Sequence, residues 1–148
     1  MKEANAKILL VDDDDSLRRV LEFQLSEAGH SVVSESDGRE ALKSYSAEDF
    51  DCVITDWRMP KITGSQLVQQ ATAINSEVPI IVITAFGDVD TAVEAMRGGA
   101  FDFITKPFNR QEILLTVEKA LKYGRALAEN RRLRRQIHED FRIENVIG

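Results

Sequence analysis

Short apolar runs alternate with segments of helical periodicity along most of this sequence. Four runs are strongly apolar and a fifth is weaker: Ile8–Val11, Cys52–Ile54, Ile80–Ile83, Phe101–Ile104 and, the weaker one, Ser31–Ser34. The four strong runs are too short for helices and show no polar alternation, which is typical of strands buried on both faces of a sheet. The segments between them carry apolar residues at helical spacing: Leu17, Val20, Leu21 and Leu25, then Ala41, Leu42 and Tyr45, then Leu67, Val68 and Ala71, then Ala92, Val93 and Met96. This alternation predicts an α/β fold, a parallel sheet with helices on both sides.

Polar side chains follow four of these runs at the point where each predicted strand ends. Asp12 begins a run of four aspartates after Ile8–Val11, and Asp56 follows Cys52–Ile54. Thr84 follows Ile80–Ile83, and Lys106 follows Phe101–Ile104. Because functional crevices of open parallel sheets lie at the carboxyl ends of the strands, we expect these groups to converge on one pocket.

Clustered carboxylates repel one another, so they either retain protons or are neutralised by a cation. Oxygen ligands without histidine or cysteine indicate a hard ion such as Mg²⁺. An aspartate beside that ion can attack phosphorus, while an amine and a hydroxyl stabilise the equatorial oxygens. The pattern therefore indicates the chemistry of an aspartyl phosphate. Within the acidic run, Asp14 or Asp15 is instead expected to be the N-cap of the first helix.

Four segments resemble the receiver domain of bacterial two-component response regulators. They are Ile8–Asp14, Asp56–Gly64, Val82–Ala85 and Lys106–Phe108, and the similarity covers roughly residues 6–122. The resemblance implies a flavodoxin-like, doubly wound sheet of five parallel strands in the order 2-1-3-4-5. It also implies a regulatory phosphoacceptor rather than an enzyme, in which Asp56 takes a phosphoryl group from a phosphohistidine of a sensor histidine kinase.

The same resemblance implies a set of ligands for Mg²⁺. Asp13 and Asp56 would ligate the ion directly, Asp12 would act through water, and Arg58 would offer its backbone carbonyl. Arg58 and Phe86 also flank the expected phosphoryl position. We expect their side chains to limit the access of water and so to set the lifetime of the phosphoryl group.

Two further residues of the resembling segments would contact the phosphoryl group, Thr84 and Lys106. Phe103 occupies the position of the family's switch aromatic, whose inward rotation accompanies movement of the loop after Thr84. Since Phe103 has no hydroxyl, its switching would depend on packing alone. The peptide bond between Lys106 and Pro107 would be cis.

The sign of the net charge changes near residue 122. Residues 1–122 carry 13 basic and 21 acidic side chains, a net of −8, whereas residues 123–148 carry six arginines and four acids, a net of +2. We therefore predict a phosphoacceptor domain over 1–122, a helical linker over 123–140 and the start of an output domain over 141–148.

Apolar residues recur along the predicted final helix and its linker: Leu121, Leu127, Leu133 and Ile137. Leu121 is expected to pack on the sheet as well as to begin this series, whereas the linker cannot bury Leu127, Leu133 and Ile137 alone, which favours a homodimer paired through a coiled coil. The spacings of six and four depart from a regular heptad, so a solvated single helix is the alternative.

The last residues, Asp140–Gly148, resemble the beginning of the AAA+ ATPase domain of bacterial enhancer-binding activators, which drive sigma-54 RNA polymerase. No G-x-x-x-x-G-K-[ST] loop occurs in the sequence, so such an ATPase would lie in a further part of a longer regulator. We expect DNA and sigma-54 RNA polymerase to be contacted only through missing C-terminal domains. The alternatives are a freestanding receiver that acts by docking and a receiver with a different output domain.

Composition excludes several other classes of protein. The net charge of −6 argues against direct binding of nucleic acid. A single cysteine, Cys52, and two histidines nearly exclude zinc enzymes and histidine-based triads. The apolar runs are too short to cross a membrane and the N-terminus lacks a signal-peptide core, so we expect a cytoplasmic protein.

One enzyme class also fits part of the sequence. Asp12, Asp14 and Ser16 match the D-x-D-x-[ST] motif of haloacid-dehalogenase-like phosphatases, whose nucleophile would be Asp12. No acidic pair follows a strand after Lys106, and the chain has no room for a domain covering the substrate. Both observations favour the receiver.

Overall fold

Five strands and five helices alternate along the chain. The structure is a computed structural model that describes residues 6–59, 61–85 and 87–147, with side chains described as far as residue 137. The elements are β1 (Lys7–Val11), α1 (Asp15–Glu27), β2 (Ser31–Glu35), α2 (Gly38–Ala47), β3 (Cys52–Asp56), α3 (Gly64–Ile74), β4 (Ile80–Thr84), α4 (Val89–Arg97), β5 (Asp102–Thr105) and α5 (Arg110–Ile147).

The strands form one parallel sheet in the order β2-β1-β3-β4-β5. The predicted fold class and strand order are confirmed. Every connection returns the chain to the same end of the sheet through a helix, as parallel pairing requires. All five strands therefore end at one edge.

Alternate residues of each central strand point to opposite faces, so the core has two layers. On one face, Ile8 and Ile54 of the sheet pack with Leu21 of α1 and Ile113 of α5. The other layer joins strand residues to α2, α3 and α4, and it contains Leu9, Val53, Ala41, Leu67 and Ala95. The sheet is thus covered on both sides, as predicted.

Burial on both faces, predicted for the run Phe101–Ile104, is wrong for β5, where Phe103 is 37% exposed. β2, which contains the weaker run, is exposed or only half-buried along its length. Both strands lie at the ends of the strand order, where each has one neighbouring strand and incomplete cover.

Some apolar residues predicted for the core faces of helices also lie outside. Val20 of α1 is 50% exposed, while Val93 and Met96 of α4 are 44% and 43% exposed. α4 instead buries small residues, among them Ala92 and Ala95. The spacing of Val93 and Met96 matches a helix, but it does not report which side faces the sheet.

The described residues contain no helix that combines the length and the apolar character needed to cross a bilayer.

Candidate functional site

The sequence-predicted site residues meet at the carboxyl edge of the sheet. Asp12 directly follows β1, Asp56 and Thr84 are the last residues of β3 and β4, and Lys106 directly follows β5. The register pairs Asp56 with Ile83 and Thr84 with Thr105, so these strands end side by side. Residues distant in sequence are therefore brought to one place by strand order alone.

Three carboxylates form the base of the site. One oxygen from each of Asp12, Asp13 and Asp56 lies within 4.8 Å of the other two. Asp12 is fully buried, Asp56 is 8% exposed and Asp13 is open to solvent. One oxygen of Asp12, Oδ2, is buried and has no hydrogen-bond partner among the described residues.

Burial makes this cluster unfavourable when it is ionised. Burial raises the pKa of Asp12 to about 6, and repulsion from Asp56 adds to the rise. The hydrogen bond that Asp12 Oδ1 accepts from the backbone N–H of Asp14 acts in the opposite direction and lowers the pKa. Burial likewise raises the pKa of Asp56, while the ammonium group of Lys106 opposes that rise. A bound divalent cation would offset the repulsion, and the all-oxygen donor set with one unpartnered oxygen fits a hard ion.

An amine lies beside the carboxylates, and a buried hydroxyl belongs to the last residue of the neighbouring strand β4. Lys106 Nζ lies 3.7 Å from Asp56 Oδ2. Thr84 Oγ1 is buried without a hydrogen-bond partner among the described residues, although buried hydroxyls normally have one. The backbone N–H of Lys106 donates to the carbonyl of Thr84 at 2.8 Å, and the Lys106–Pro107 peptide bond is cis. The two residues that would contact a phosphoryl group are thereby tied together.

Gly64, the first residue of α3, lies directly against the backbone at the end of β3 because it has no side chain. A Cβ atom on Gly64 would lie 2.7 Å from Trp57 Cα and 2.9 Å from the backbone oxygen of Asp56. The N–H of Gly64 donates to the carbonyl of Trp57 at 2.9 Å, closing this turn. Gly64 is therefore required by the packing at the end of β3.

Sequence reasoning missed two polar residues around the site. Arg18 Nη1 donates to the backbone oxygen of Asp12 at 2.6 Å and Nη2 pairs with Asp15 at 2.7 Å. Asp88 caps α4 and accepts from Arg58 Nη2 at 3.0 Å. The spacing of three residues between Asp15 and Arg18 on one helix could have predicted their ion pair. No local spacing predicts the pair of Arg58 with Asp88, because a whole crossover separates them in the sequence.

Other predicted residues lie around this centre or outside the described part of the chain. Asp14 is the N-cap of α1, as predicted, and accepts from Leu17 N. Phe103 is on the outer strand, half-exposed, and the side chain of Arg58 is 79% exposed. Phe86 lies outside the described residues.

The final helix continues past the predicted domain boundary without a break. Leu121 is buried in the domain's own core, as predicted for the part of α5 that packs on the sheet, so it does not belong to a linker pairing with the residues beyond it. Leu127 is half-buried, and Leu133 and Ile137 are 47% and 67% exposed. The side chains of residues 138–148, including the segment predicted to begin an output domain, lie outside the described residues.

The family model of the response regulator receiver domain matches residues 8–118, which include every residue of the acidic site. The chain belongs to the response regulator receiver family. Its members are regulatory phosphoacceptors rather than enzymes, and they bind Mg²⁺ through acidic residues such as the cluster seen here. Within the D-x-D-x-[ST] match, Asp14 is the N-cap of α1.

Relatives with this domain include longer proteins. The chain is 41% identical over 148 residues to the C4-dicarboxylate transport transcriptional regulatory protein DctD of Pseudomonas aeruginosa, covering 99% of this chain and 32% of that protein. The structure of NtrX from Brucella abortus in complex with ADP is similar, with a TM-score of 0.84 and 31% identity over 87% of this chain and 30% of that one. A receiver domain protein from Clostridium thermocellum has a TM-score of 0.78 and 31% identity over 82% of this chain and 98% of its own. The chain thus spans about a third of the length of the DctD relative.

Proposed function

We propose that Asp56 accepts a phosphoryl group from a phosphohistidine on a sensor histidine kinase, in a reaction that requires Mg²⁺. The observation that carries this proposal is the position of the nearly buried Asp56 carboxylate, 3.7 Å from Lys106 Nζ and clustered with Asp12 and Asp13. Asp12, Asp13, Asp56 and the backbone carbonyl of Arg58 would hold the ion. Bound there, Mg²⁺ would neutralise the carboxylates and the phosphoryl oxygens.

The transfer forms one bond and breaks another. A carboxylate oxygen of Asp56 attacks phosphorus, the bond between phosphorus and the histidine nitrogen breaks, and that nitrogen leaves with the bonding electrons. Lys106 is placed to pair with a phosphoryl oxygen as the charge moves onto Asp56. Thr84 Oγ1, which is buried without a partner in the described part of the chain, is available to donate to another. Hydrolysis of the acyl phosphate later returns the carboxylate.

Phosphorylation would change the surface formed by α4, β5 and α5. A hydrogen bond from Thr84 to the phosphoryl group would draw in the start of the loop between β4 and α4. Phe103 lies on the neighbouring strand and is 37% exposed, and by the family resemblance its ring would rotate inward as this loop moves. The result would be a shift between two populated conformations of one fold.

We further propose that this surface and the exposed part of α5 control a homodimer that positions a transcription-activating output domain. Three observations support an output domain of the AAA+ type acting with sigma-54 RNA polymerase: the resemblance of the final residues, the greater length of the DctD relative, and the ADP in the NtrX structure. The chain would then work in the cytoplasm and reach DNA only through that missing part. ATP hydrolysis by the complete gene product, measured with and without phosphorylation, tests this assignment.

The phosphoacceptor is tested by intact mass after incubation with acetyl phosphate and Mg²⁺. We expect one phosphoryl adduct on the wild-type protein, none on Asp56→Asn, and none when EDTA replaces Mg²⁺. An adduct that persists on Asp56→Asn but is lost on Asp12→Asn would instead indicate a phosphatase-type nucleophile. Absence of any adduct on a folded wild-type protein, also with a purified sensor kinase as donor, would refute the proposal and favour a docking domain.

A further inference from the structure

The segment between β3 and α3 is held by the sheet and the core at its first residues. The N–H of Trp57 donates to the carbonyl of Ile83 in β4 at 3.0 Å. Met59 is buried in the core layer that also contains residues of α2 and α3. Arg58, whose backbone carbonyl is the proposed ligand for Mg²⁺, lies between these two anchored residues. The place of that carbonyl therefore depends on the path of the whole segment.

The later residues of the segment lie against the beginning of α2. A Cβ atom on Gly38 would lie 2.9 Å from both Ile62 Cβ and the backbone oxygen of Ile62, so no side chain fits at residue 38. Lys61 Nζ lies 3.7 Å from Asp37 Oδ2. The same carboxylate caps α2, because Asp37 Oδ1 accepts from the backbone N–H of Glu40 at 2.9 Å. Two consecutive residues of the segment thus contact two consecutive residues at the start of α2.

Lys61 has a left-handed backbone conformation, with a φ of 67°. Among the residues that the structure describes, it is the only one other than glycine with a positive φ. Contacts of Cβ with the neighbouring carbonyl make this conformation unfavourable for lysine, whereas glycine and asparagine adopt it more readily. Such a conformation persists where surrounding contacts hold it in place. Here those contacts are the ion pair with Asp37 and the packing of Ile62 on Gly38.

We propose that Asp37 and Gly38 are positioning residues for the Mg²⁺ site. They hold Lys61 and Ile62 in one path, and this path fixes the backbone carbonyl of Arg58 before the ion binds. The inference rests on the proposed function, in which that carbonyl is a ligand, and it adds two residues from a part of the fold that supplies no ligand. A ligand that is already fixed loses less conformational freedom on binding, so the ion binds more tightly.

The sign of the effect of Lys61 separates positioning from simple electrostatics. Lys61→Gln removes a positive charge from the surroundings of a cation site, which by Coulomb's law alone would strengthen the binding of Mg²⁺. Because the lysine holds the segment through Asp37, the same change instead frees the segment and weakens binding. We expect the dissociation constant for Mg²⁺ to rise about two- to fivefold, the effect of losing one exposed ion pair. Lys61→Arg keeps the pair and should bind Mg²⁺ like wild type.

Substitutions at the start of α2 test the other partners of these contacts. Asp37→Asn keeps a good helix cap but loses the charge, and it should weaken the binding of Mg²⁺ by a similar factor. Combined with Lys61→Gln it should cause no further loss, because both changes remove the same pair. Gly38→Ala crowds Ile62 and should raise the dissociation constant about tenfold, as the loss of a residue that orients a metal ligand does.

Binding is measured on the full chain by the fluorescence of Trp57, which adjoins Asp56, during titration with Mg²⁺ at constant ionic strength. Competition with Mn²⁺, whose free form is counted by electron paramagnetic resonance, gives the dissociation constant independently. Lys61→Gly relieves the left-handed backbone but frees the segment. It should weaken the binding of Mg²⁺ with little change in the free energy of unfolding in EDTA, whereas a purely structural role would leave the affinity unchanged. Lys43→Gln, the matched control, loses an exposed pair with Glu40 within α2 and should not weaken binding.

The outcomes separate this inference from the proposal on which it rests. A wild-type protein that neither binds Mg²⁺ nor forms an adduct on Asp56 would refute the metal site and the positioning residues together. A wild-type protein that does both, with a Lys61→Gln variant that binds Mg²⁺ as tightly as wild type or more tightly, would refute the inference alone. That result would decide the matter whether or not Gly38→Ala folds, because Lys61→Gln changes only an exposed side chain.

Discussion

Replacing Asp12 by asparagine should stabilise the metal-free protein, and the gain should depend on pH. The carboxyl of Asp12 is fully buried and its pKa is raised from 3.8 to about 6 in the folded protein. Between those values the folded state binds more protons than the unfolded state, so the free energy of unfolding falls as pH rises through this window. A shift of about two pKa units corresponds to about 3 kcal/mol in the free energy of unfolding. This contribution of the protonated carboxyl is present in full below the pKa of the unfolded state and is lost above about pH 6.

Asp12→Asn removes this loss because the amide does not ionise. Its oxygen can still accept from Asp14 N, as Asp12 Oδ1 does at 2.9 Å. We expect the stability advantage of the variant over wild type to grow by about 2 kcal/mol between about pH 4.5 and about pH 8. At about pH 8 a total advantage of about 3 kcal/mol would raise the melting temperature by about 6 to 12 °C for a chain of this size.

The assay is urea unfolding in EDTA at several pH values, followed by the fluorescence of the single tryptophan, Trp57. Asp49→Asn, which changes an exposed carboxylate, is the matched control and should show no such trend. Saturating Mg²⁺ should stabilise wild type more than Asp12→Asn, because binding to the folded state alone adds stability. An effect of Asp12→Asn that is the same at every pH would refute the assignment of the raised pKa to burial of this carboxyl.

Three further predictions concern the loops and the core. Gly64→Ala should lower the free energy of unfolding by about 1 to 3 kcal/mol in chemical denaturation, because its Cβ would strike the backbone at Trp57; a neutral result would show that the turn can widen. Arg58→Ala should shorten the lifetime of the phosphoryl adduct, measured as decay of the adduct mass, if this side chain shields the site from water; an unchanged decay rate would remove that role. Cys52 should resist a thiol reagent in the folded protein and react on unfolding, since burial raises its pKa to about 12; prompt labelling of the native state would contradict its placement inside β3.

Much of the fold and the site could be predicted because both depend on where strands end. Asp12, Asp56, Thr84 and Lys106 each end or follow an apolar run, and parallel pairing then leaves no other place for them to meet. Strand periodicity does not report which strand lies at an edge, so the exposure of Phe103 could not be foreseen from it. Helical periodicity similarly identifies an apolar face of a helix, but it does not show which element, if any, packs against that face.

The final helix also shows that the burial of an apolar residue cannot be predicted from its own element alone. Leu121 and Leu133 have the same chemistry and lie on one helix, but the sheet covers only the first. Contacts that join different elements, such as Arg58 with Asp88 or Arg131 with Glu77, also depend on crossovers that no local pattern specifies.

α5 is a single helix from Arg110 to Ile147, and it lies close to Pro79 at Gly124, so the part beyond Gly124 would tilt as a rigid rod about that contact. At a rise of about 1.5 Å per residue this part is about 35 Å long, so a tilt of about 10° at the contact would displace its far end by about 6 Å. Movements at the sheet that are too small to alter the fold would therefore displace the far end of α5 by more than one helical turn. Substituting a bulkier residue at Gly124 would push the helix away from Pro79 and so change the direction in which its far end points.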